Sequence, residues 1–240
     1  MEEGVLDRAA EFARRIFEGD SGGHDIYHTL RVHALARIIC EEEGGDEGIV
    51  RLAALLHDVD DPKLFRSEGH PNARGFMEGE GLGGDVADRV VSIISQVSFK
   101  GADTVAPDTL EGMIVQDADR LDAIGAIGIA RAFAYGGSRG RQMHVPGERP
   151  REGMSEAKYR ANEGTTVNHF HEKLLKLKDL MNTDTARWMA ESRHRYMEEF
   201  LEEFMDEWCG RRRGQPAFDY MQKSYEYRRN TVIIERFIVT

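Results

Sequence analysis

One short stretch, LLHDVDD at residues 55–61, constrains this chain more than any other, because it ends an apolar helix with an imidazole and three carboxylates. The residues before it are apolar at helical spacing and should direct that helix into a core. His57 and Asp58 are therefore expected to be partly buried. A buried charge is tolerated when it is paired or coordinates a metal, and both of these side chains can bind metals. On its own, however, a His-Asp dipeptide is more often a hydrogen bond at a helix end than a ligand set.

A second histidine, His28, is predicted to face the core from another helix, Asp25 to Glu43. Residues on its stripe recur at steps of four, four, three and four, as on one face of a helix. The stripe comprises His24, His28, Val32, Leu35 and Ile39. A single histidine of this kind is more often a hydrogen-bonded core residue than a ligand.

Three aspartates, Asp117, Asp119 and Asp122, interrupt a helix that is otherwise apolar or small and is predicted to have Pro107 in its first turn. A helix that is apolar all round is a central one. One of the three aspartates could face solvent, but all three could not readily do so while their apolar neighbours are buried. Burying them is costly unless something neutralises their charge.

Helical periodicity dominates the rest of the chain, and the predicted fold class is all-α with one domain. Further helices or helical stripes are predicted for Val5 to Phe17, Ser67 to Glu80, Asp85 to Val97, Thr166 to Met181, and Thr183 to Trp208. We expect residues 1–210 to form the helical core, with an added C-terminal helical pair, and residues 211–240 to form a tail of unassigned role. Within it, TVIIERFIVT at 231–240 could be a short strand or a docked or disordered terminus.

Residues 123–147 contain no acidic side chain but carry Arg131, Arg139 and Arg141 among glycines. In a chain of net charge −11 this is a local reversal of charge. A glycine-rich basic loop offers backbone N–H groups and guanidinium groups to phosphate oxygens. The alternative is a solvated turn without a ligand.

The net charge also gives no general attraction to nucleic acid or to an anionic membrane, and neither is expected as a partner. The two cysteines, Cys40 and Cys209, are far apart and favour a reduced protein over a disulfide framework. With no membrane-length apolar run and no leader-like start, a cytoplasmic location is expected. A homodimer is left open.

The order of one histidine, an adjacent His-Asp pair and a later aspartate resembles the HD-domain superfamily of metal-dependent phosphohydrolases. The segments HDIYHTLRV at 24–32, AALLHD at 53–58 and VQDADRLDAIG at 115–125 look like the bacterial HD hydrolases of the YpgQ/YedJ type. The likeness continues through residues 133–138 and 174–183, and it covers most of residues 20–210.

This resemblance implies an HD-domain helical bundle with a metal held by His28, His57, Asp58 and Asp119. Asp119 is preferred over Asp117 because family members share an ADRL-like core, here residues 118–121, although Asp117 and Asp122 keep the choice open. Mixed imidazole and carboxylate ligands suit Mn, Fe, Co or Ni, with Mg and Zn less favoured. Related pyrophosphohydrolases imply Mn.

The resemblance also implies hydrolysis of a phosphorylated small molecule, with a nucleoside triphosphate cleaved to monophosphate and pyrophosphate. His57 and Asp58 would act through the metal-activated water, and Asp61 would act as general acid or base, or else simply end the helix before a proline. The candidate phosphate contacts are His24, Arg31, Lys63, Arg120, Arg139 and Arg141, and His70 is either a minor site residue or a helix-flanking one. Alternatives are a nucleoside monophosphate phosphatase (5′-nucleotidase) and a catalytically silent regulatory domain stabilised by metal.

Overall fold

Three helices pack against one another at the centre of the protein, namely α2 (Ile26–Glu43), α3 (Glu47–Leu56) and α6 (Leu110–Asp122). The structure, a computed structural model, describes residues 1–18, 25–61, 69–97, 105–151 and 164–210. Seven of the ten residues of α3 are buried, so the helix that leads into LLHDVDD is a core helix, as predicted. All the predicted metal ligands lie on or directly after these three helices.

The other helices surround this centre. They are α1 (Glu3–Ile16), α4 (Pro71–Gly79), α5 (Gly84–Val97), α7 (Gly125–Ser138), α8 (Thr166–Glu172) and α9 (Asp184–Trp208). Helices α1 and α5 pack on α3, while the long α9 runs along α7 and also contacts α6 and α2. The part of the chain that the structure describes contains no strand, and the all-α prediction is confirmed. Within those same residues, no helix combines the length and the apolar character that a membrane span requires.

Side-chain caps fix where the central helices begin. The Asp25 carboxylate accepts a hydrogen bond from the His28 amide at 2.8 Å, and Thr109 Oγ1 accepts one from the Gly112 amide at 3.1 Å. Such caps satisfy backbone donors that have no partner within the helix. The prediction that Pro107 lies in the first turn of α6 is wrong, because the cap is Thr109. Pro107 instead packs over Gly112, where an added Cβ would lie 2.7 Å from the proline ring.

The predicted basic loop at 123–147 is largely a helix, since α7 extends to Ser138. The glycine content that indicated a loop has a packing reason at Gly136, which is buried against α8. A Cβ at Gly136 would lie 2.4 Å from Thr166 Oγ1. The loop prediction holds only after the helix, where Arg139 and Arg141 lie.

Replacing Gly136 by alanine is expected to lower the free energy of unfolding by about 1–3 kcal/mol, because Thr166 and the backbone must move apart. Gly137→Ala is the matched control, since a Cβ there meets nothing within 4 Å. Alanine at this exposed helical position should be neutral or stabilise by up to about 1 kcal/mol. Thermal unfolding of the two variants measures the difference, and equal melting temperatures would contradict the packing explanation.

The predicted stripe from Thr166 to Met181 is buried, but it is not one helix. Helix α8 ends at Glu172, and two 3₁₀ turns follow, Leu174–Lys176 and Lys178–Leu180. Leu174 and Leu177 remain buried because a 3₁₀ turn also brings residues three apart onto one side. Apolar spacing alone does not separate the two helix types here.

The tail prediction for residues 211–240 lies outside the described residues, as do the predicted site residues His24 and Lys63.

Candidate metal centre

Four predicted ligands converge where α2, the end of α3 and α6 meet. His28 Nε2 lies 3.4 Å from His57 Nε2, 3.4 Å from Asp58 Oδ2 and 3.4 Å from Asp119 Oδ1. His57 Nε2 is also 3.3 Å from Asp58 Oδ2. Ligand atoms of His28, His57 and Asp119 all lie within 4.8 Å of one another. These distances bring the groups within reach of one shared ion.

The opposite nitrogen of each imidazole is already occupied by the protein. His28 Nδ1 lies 2.7 Å from Asp122 Oδ2, and His57 Nδ1 lies 2.8 Å from the Ala54 carbonyl oxygen. Carboxylate and carbonyl oxygens only accept, so each ring donates through Nδ1 and, in its neutral form, leaves a lone pair on Nε2. Two imidazole lone pairs and two carboxylates therefore face one another. This donor set fits a divalent cation, and the second partners of the rings are those that metal-binding histidines usually have.

The electrostatics of the centre favour a positive charge. Burial lowers the pKa of His57, but Asp58, Asp119 and the Ala54 carbonyl together outweigh this effect and raise the pKa to about 9. Burial also opposes protonation of His28, while hydrogen bonds to Asp122 and Asp58 give a net rise in its pKa. Carboxylates that stabilise an imidazolium here would stabilise a metal cation in the same way. That all four side chains are ligands stays a prediction.

Asp117, which the sequence left open as a ligand, is engaged elsewhere. Its carboxylate accepts hydrogen bonds from the Asn182 amide at 2.9 Å, and from the amide and hydroxyl of Thr183 at 2.8 and 2.9 Å. It is fully buried and holds the start of α9 in place. The geometry therefore favours Asp119 over Asp117.

Asp60 also has a structural position that the sequence did not reveal. It is buried, and its carboxylate accepts from the backbone amides of Asn72 and Ala73 at 3.0 and 2.9 Å, at the start of α4. Asp61 is half-buried, and its amide donates to the Asp58 carbonyl at 3.0 Å, in the turn that follows His57 and Asp58. His70 occupies the position before Pro71 with φ of 57°, which agrees with its helix-flanking alternative.

The candidate phosphate contacts are in different places. Arg31 lies beside the centre, with Nε 2.6 Å from Asp122 Oδ1 and a side chain that is 35% exposed. Arg120 is buried, and its guanidinium donates to the Leu180 carbonyl and lies near the Asp117 carboxylate. Its buried charge therefore has partners within the protein and does not require a substrate. Arg139 is exposed after α7 with its guanidinium 5.5 Å from the centre of the Tyr135 ring, and Arg141 follows it.

Arg131 was assigned to a loop by the sequence but lies beside the centre. Its Nη1 is 2.5 Å from Asp122 Oδ2 and 3.1 Å from His28 Nδ1. The spacing of Asp119 and Asp122 could have indicated that Asp122 also lies near the centre, because residues three apart share one helix face. Burial raises the pKa of Asp122, but hydrogen bonds from His28 and Arg31 lower it well below its usual range.

Comparisons with known proteins agree with this geometry. The model of the HD domain family matches residues 25–124, which include all four converging side chains. The chain is 42% identical over 198 residues to the uncharacterized protein YpgQ of Bacillus subtilis, covering 79% of this chain and 87% of that protein. The crystal structure of an HD-superfamily hydrolase from Bacillus thuringiensis is similar, with a TM-score of 0.69 and 44% identity, covering 87% of this chain and 99% of that one. A structure of Bacillus subtilis YpgQ in complex with ADP has a TM-score of 0.68 and 37% identity, covering 84% of this chain and 97% of that one.

Proposed function

Because the chain belongs to the HD domain family, we propose that it is a metal-dependent phosphohydrolase that cleaves nucleoside triphosphates to monophosphate and pyrophosphate. One observation carries the proposal. His57 Nε2, Asp58 Oδ2 and Asp119 Oδ1 each lie 3.4 Å from His28 Nε2, so two imidazole nitrogens and two carboxylates converge. Similarity to a solved HD-superfamily hydrolase supports the hydrolytic class. The ADP complex of Bacillus subtilis YpgQ supports a nucleotide as the ligand.

The chain's residues have separable roles in this proposal. His28, His57, Asp58 and Asp119 would hold the metal, with Mn the first expectation. When bound, a divalent cation supplies Lewis-acid activation of water and of a phosphate oxygen. Asp61 would move a proton as general acid or base from its position beside Asp58.

Arg31 is the best-placed candidate for the substrate's phosphates. Its guanidinium is partly exposed next to the centre, and Asp122 holds it in a fixed position. A guanidinium matches phosphate oxygens through paired hydrogen bonds. It would supply the local positive charge that an anionic nucleotide needs on a protein of net charge −11.

The test is a substrate screen of the metal-free protein reloaded with Mn²⁺, Co²⁺, Ni²⁺, Mg²⁺ or Zn²⁺. Nucleoside tri-, di- and monophosphates are supplied, and pyrophosphate and phosphate are assayed separately. Pyrophosphate from triphosphates alone is the expected result. Phosphate from monophosphates would identify the phosphatase alternative. Metal binding that raises the melting temperature without turnover of any nucleotide would favour the silent regulatory domain.

Asp61→Asn is expected to keep metal affinity but to lower kcat by roughly 10²- to 10⁴-fold, the usual contribution of a general acid or base. Steady-state kinetics measure kcat, and Mn²⁺ titrations measure the metal affinity separately. The matched control is Asp60→Asn, which removes a neighbouring carboxylate that caps α4. It should lower the melting temperature and leave kcat close to that of the wild type. An Asp61→Asn protein that does not bind Mn²⁺ would instead indicate that Asp61 is a metal ligand.

A further inference from the structure

We propose that Asp122 is a positioning residue that keeps His28 in the tautomer able to bind the metal, against a competing hydrogen bond from Arg131. The inference rests on the proposed metal centre and names the residue that prepares it. Asp122 lies at the end of α6, is 2% exposed and contacts His28 at Nδ1, the ring nitrogen opposite the one that lies near His57 and Asp119.

Asp122 accepts from three side chains at once. Its Oδ2 is 2.7 Å from His28 Nδ1, 2.5 Å from Arg131 Nη1 and 3.1 Å from Arg31 Nη2, and its Oδ1 is 2.6 Å from Arg31 Nε. An ionised carboxylate has enough lone pairs for all three and has no proton to donate. It therefore requires that His28 carry a proton on Nδ1, which leaves the Nε2 lone pair for a cation.

Arg131 could impose the opposite arrangement. Its Nη1 lies 3.1 Å from His28 Nδ1, within hydrogen-bond distance, and a guanidinium can only donate. If it donated to Nδ1, a neutral ring would carry its proton on Nε2. That proton would point at His57 and the two ligand carboxylates and would block the metal. Asp122 prevents this by accepting the Arg131 donor itself.

An asparagine at position 122 could not replace the carboxylate. It has the same shape but only one acceptor oxygen, so its NH₂ group must face a donor on one side. If the NH₂ takes the Oδ2 position, it faces Arg131 and can donate to His28 Nδ1. If it takes the Oδ1 position, it faces Arg31 Nε, 2.6 Å from that site in the wild type. The isosteric change thus removes the control of the tautomer without creating a cavity.

The experiment is a double-mutant cycle on the full-length metal-free protein, with Mn²⁺ alone as the probe and electron paramagnetic resonance of free Mn²⁺ as the readout. Asp122→Asn is expected to weaken Mn²⁺ binding by about 10- to 100-fold, as for other residues that orient a metal ligand. Arg131→Met alone should not weaken it. Asp122→Ala, which removes the acceptor and adds no donor, should also weaken binding in the wild type but should cost much less in the Arg131→Met background, because neither residue 122 nor residue 131 can then donate to His28 Nδ1.

The background dependence separates positioning from a general effect. If Asp122 acted only through its charge or through stability, the loss would be the same factor in both backgrounds. That result, or an Asp122→Asn protein that binds Mn²⁺ as well as the wild type, would overturn the inference. Wild-type protein that binds no Mn²⁺ would instead refute the proposed function. Circular dichroism of the metal-free variants reports whether they are folded.

Should Asp122→Asn not fold, the wild type and Arg131→Met still decide the matter through ¹⁵N NMR of the imidazoles. At alkaline pH, where the metal-free ring is neutral, His28 is expected to carry its proton on Nδ1 in both proteins. A proton on Nε2 in the wild type would overturn the proposed role of Asp122.

Discussion

Alanine in place of His57 is expected to abolish metal-stimulated turnover, with kcat/KM falling on the order of 10³-fold or more. The expected loss exceeds the roughly 10- to 100-fold of residues that only orient a ligand, because His57 presents its own lone pair to the centre. The ring also lies between two oxygen atoms. Its Nδ1 donates to the Ala54 carbonyl at 2.8 Å, and its Nε2 lies 3.3 Å from Asp58 Oδ2. Asp58→Ala should have a similar effect. Measurements of Mn²⁺ content and of Mn²⁺-stimulated hydrolysis test both variants.

His33→Ala is the matched control for this loss. His33 lies on α2, five residues after His28, and its Nε2 accepts from Arg51 Nε at 3.2 Å, on another face of the helix. Its removal should leave Mn²⁺ affinity and turnover close to those of the wild type. Full activity in the His57→Ala or Asp58→Ala protein would count decisively against the metal centre.

The convergence of these side chains could be predicted from the sequence because each is a costly exception to a local pattern. His28 lies on an apolar helix stripe, His57 and Asp58 end an apolar helix, and Asp119 lies in a central one. Burial of such groups requires a common reason, since each would otherwise lose hydration without compensation. The pattern therefore indicated the elements and their inward faces, and the family resemblance ordered the ligands.

Roles of the other aspartates could not be derived in the same way, because their partners are distant in the chain. Asp117 binds Asn182 and Thr183, and Asp122 binds Arg31 and Arg131. Periodicity shows that a carboxylate is buried but does not show which donor meets it. Only the packing of α6 against α2, α7 and the start of α9 assigns a separate partner to each.

The misassigned segments have a related cause. Glycines in α7 look like loop residues in a sequence. At position 136, however, a glycine is needed because α8 approaches too closely for a Cβ atom. The break after α8 is equally invisible, because Leu174 and Leu177 suit either a 3₁₀ turn or an α-helix. At Gly136 the deciding interaction is tertiary, and local propensity carries no information about it.

Asp117→Ala is expected to have the largest effect on stability, lowering the free energy of unfolding by about 3–5 kcal/mol. The carboxylate is fully buried, and its removal leaves the Asn182 and Thr183 donors without their acceptor. It also leaves the buried Arg120 guanidinium, 3.8 Å away, without its nearby counter-charge. For a domain of this size, such a loss lowers the melting temperature by roughly 6–20 °C.

Asp88→Ala is the control, because it removes an aspartate whose side chain is 74% exposed and forms a surface ion pair with Arg74. It should change the stability by less than about 0.5 kcal/mol. Below its melting temperature, Asp117→Ala should still bind Mn²⁺, whereas Asp119→Ala should not, because Asp119 offers an oxygen to the His28 Nε2 atom while the Asp117 carboxylate is engaged by Asn182 and Thr183. A stable Asp117→Ala protein that does not bind Mn²⁺ would contradict this assignment. It would show that the start of α9 does not need the Asp117 carboxylate and that the metal does.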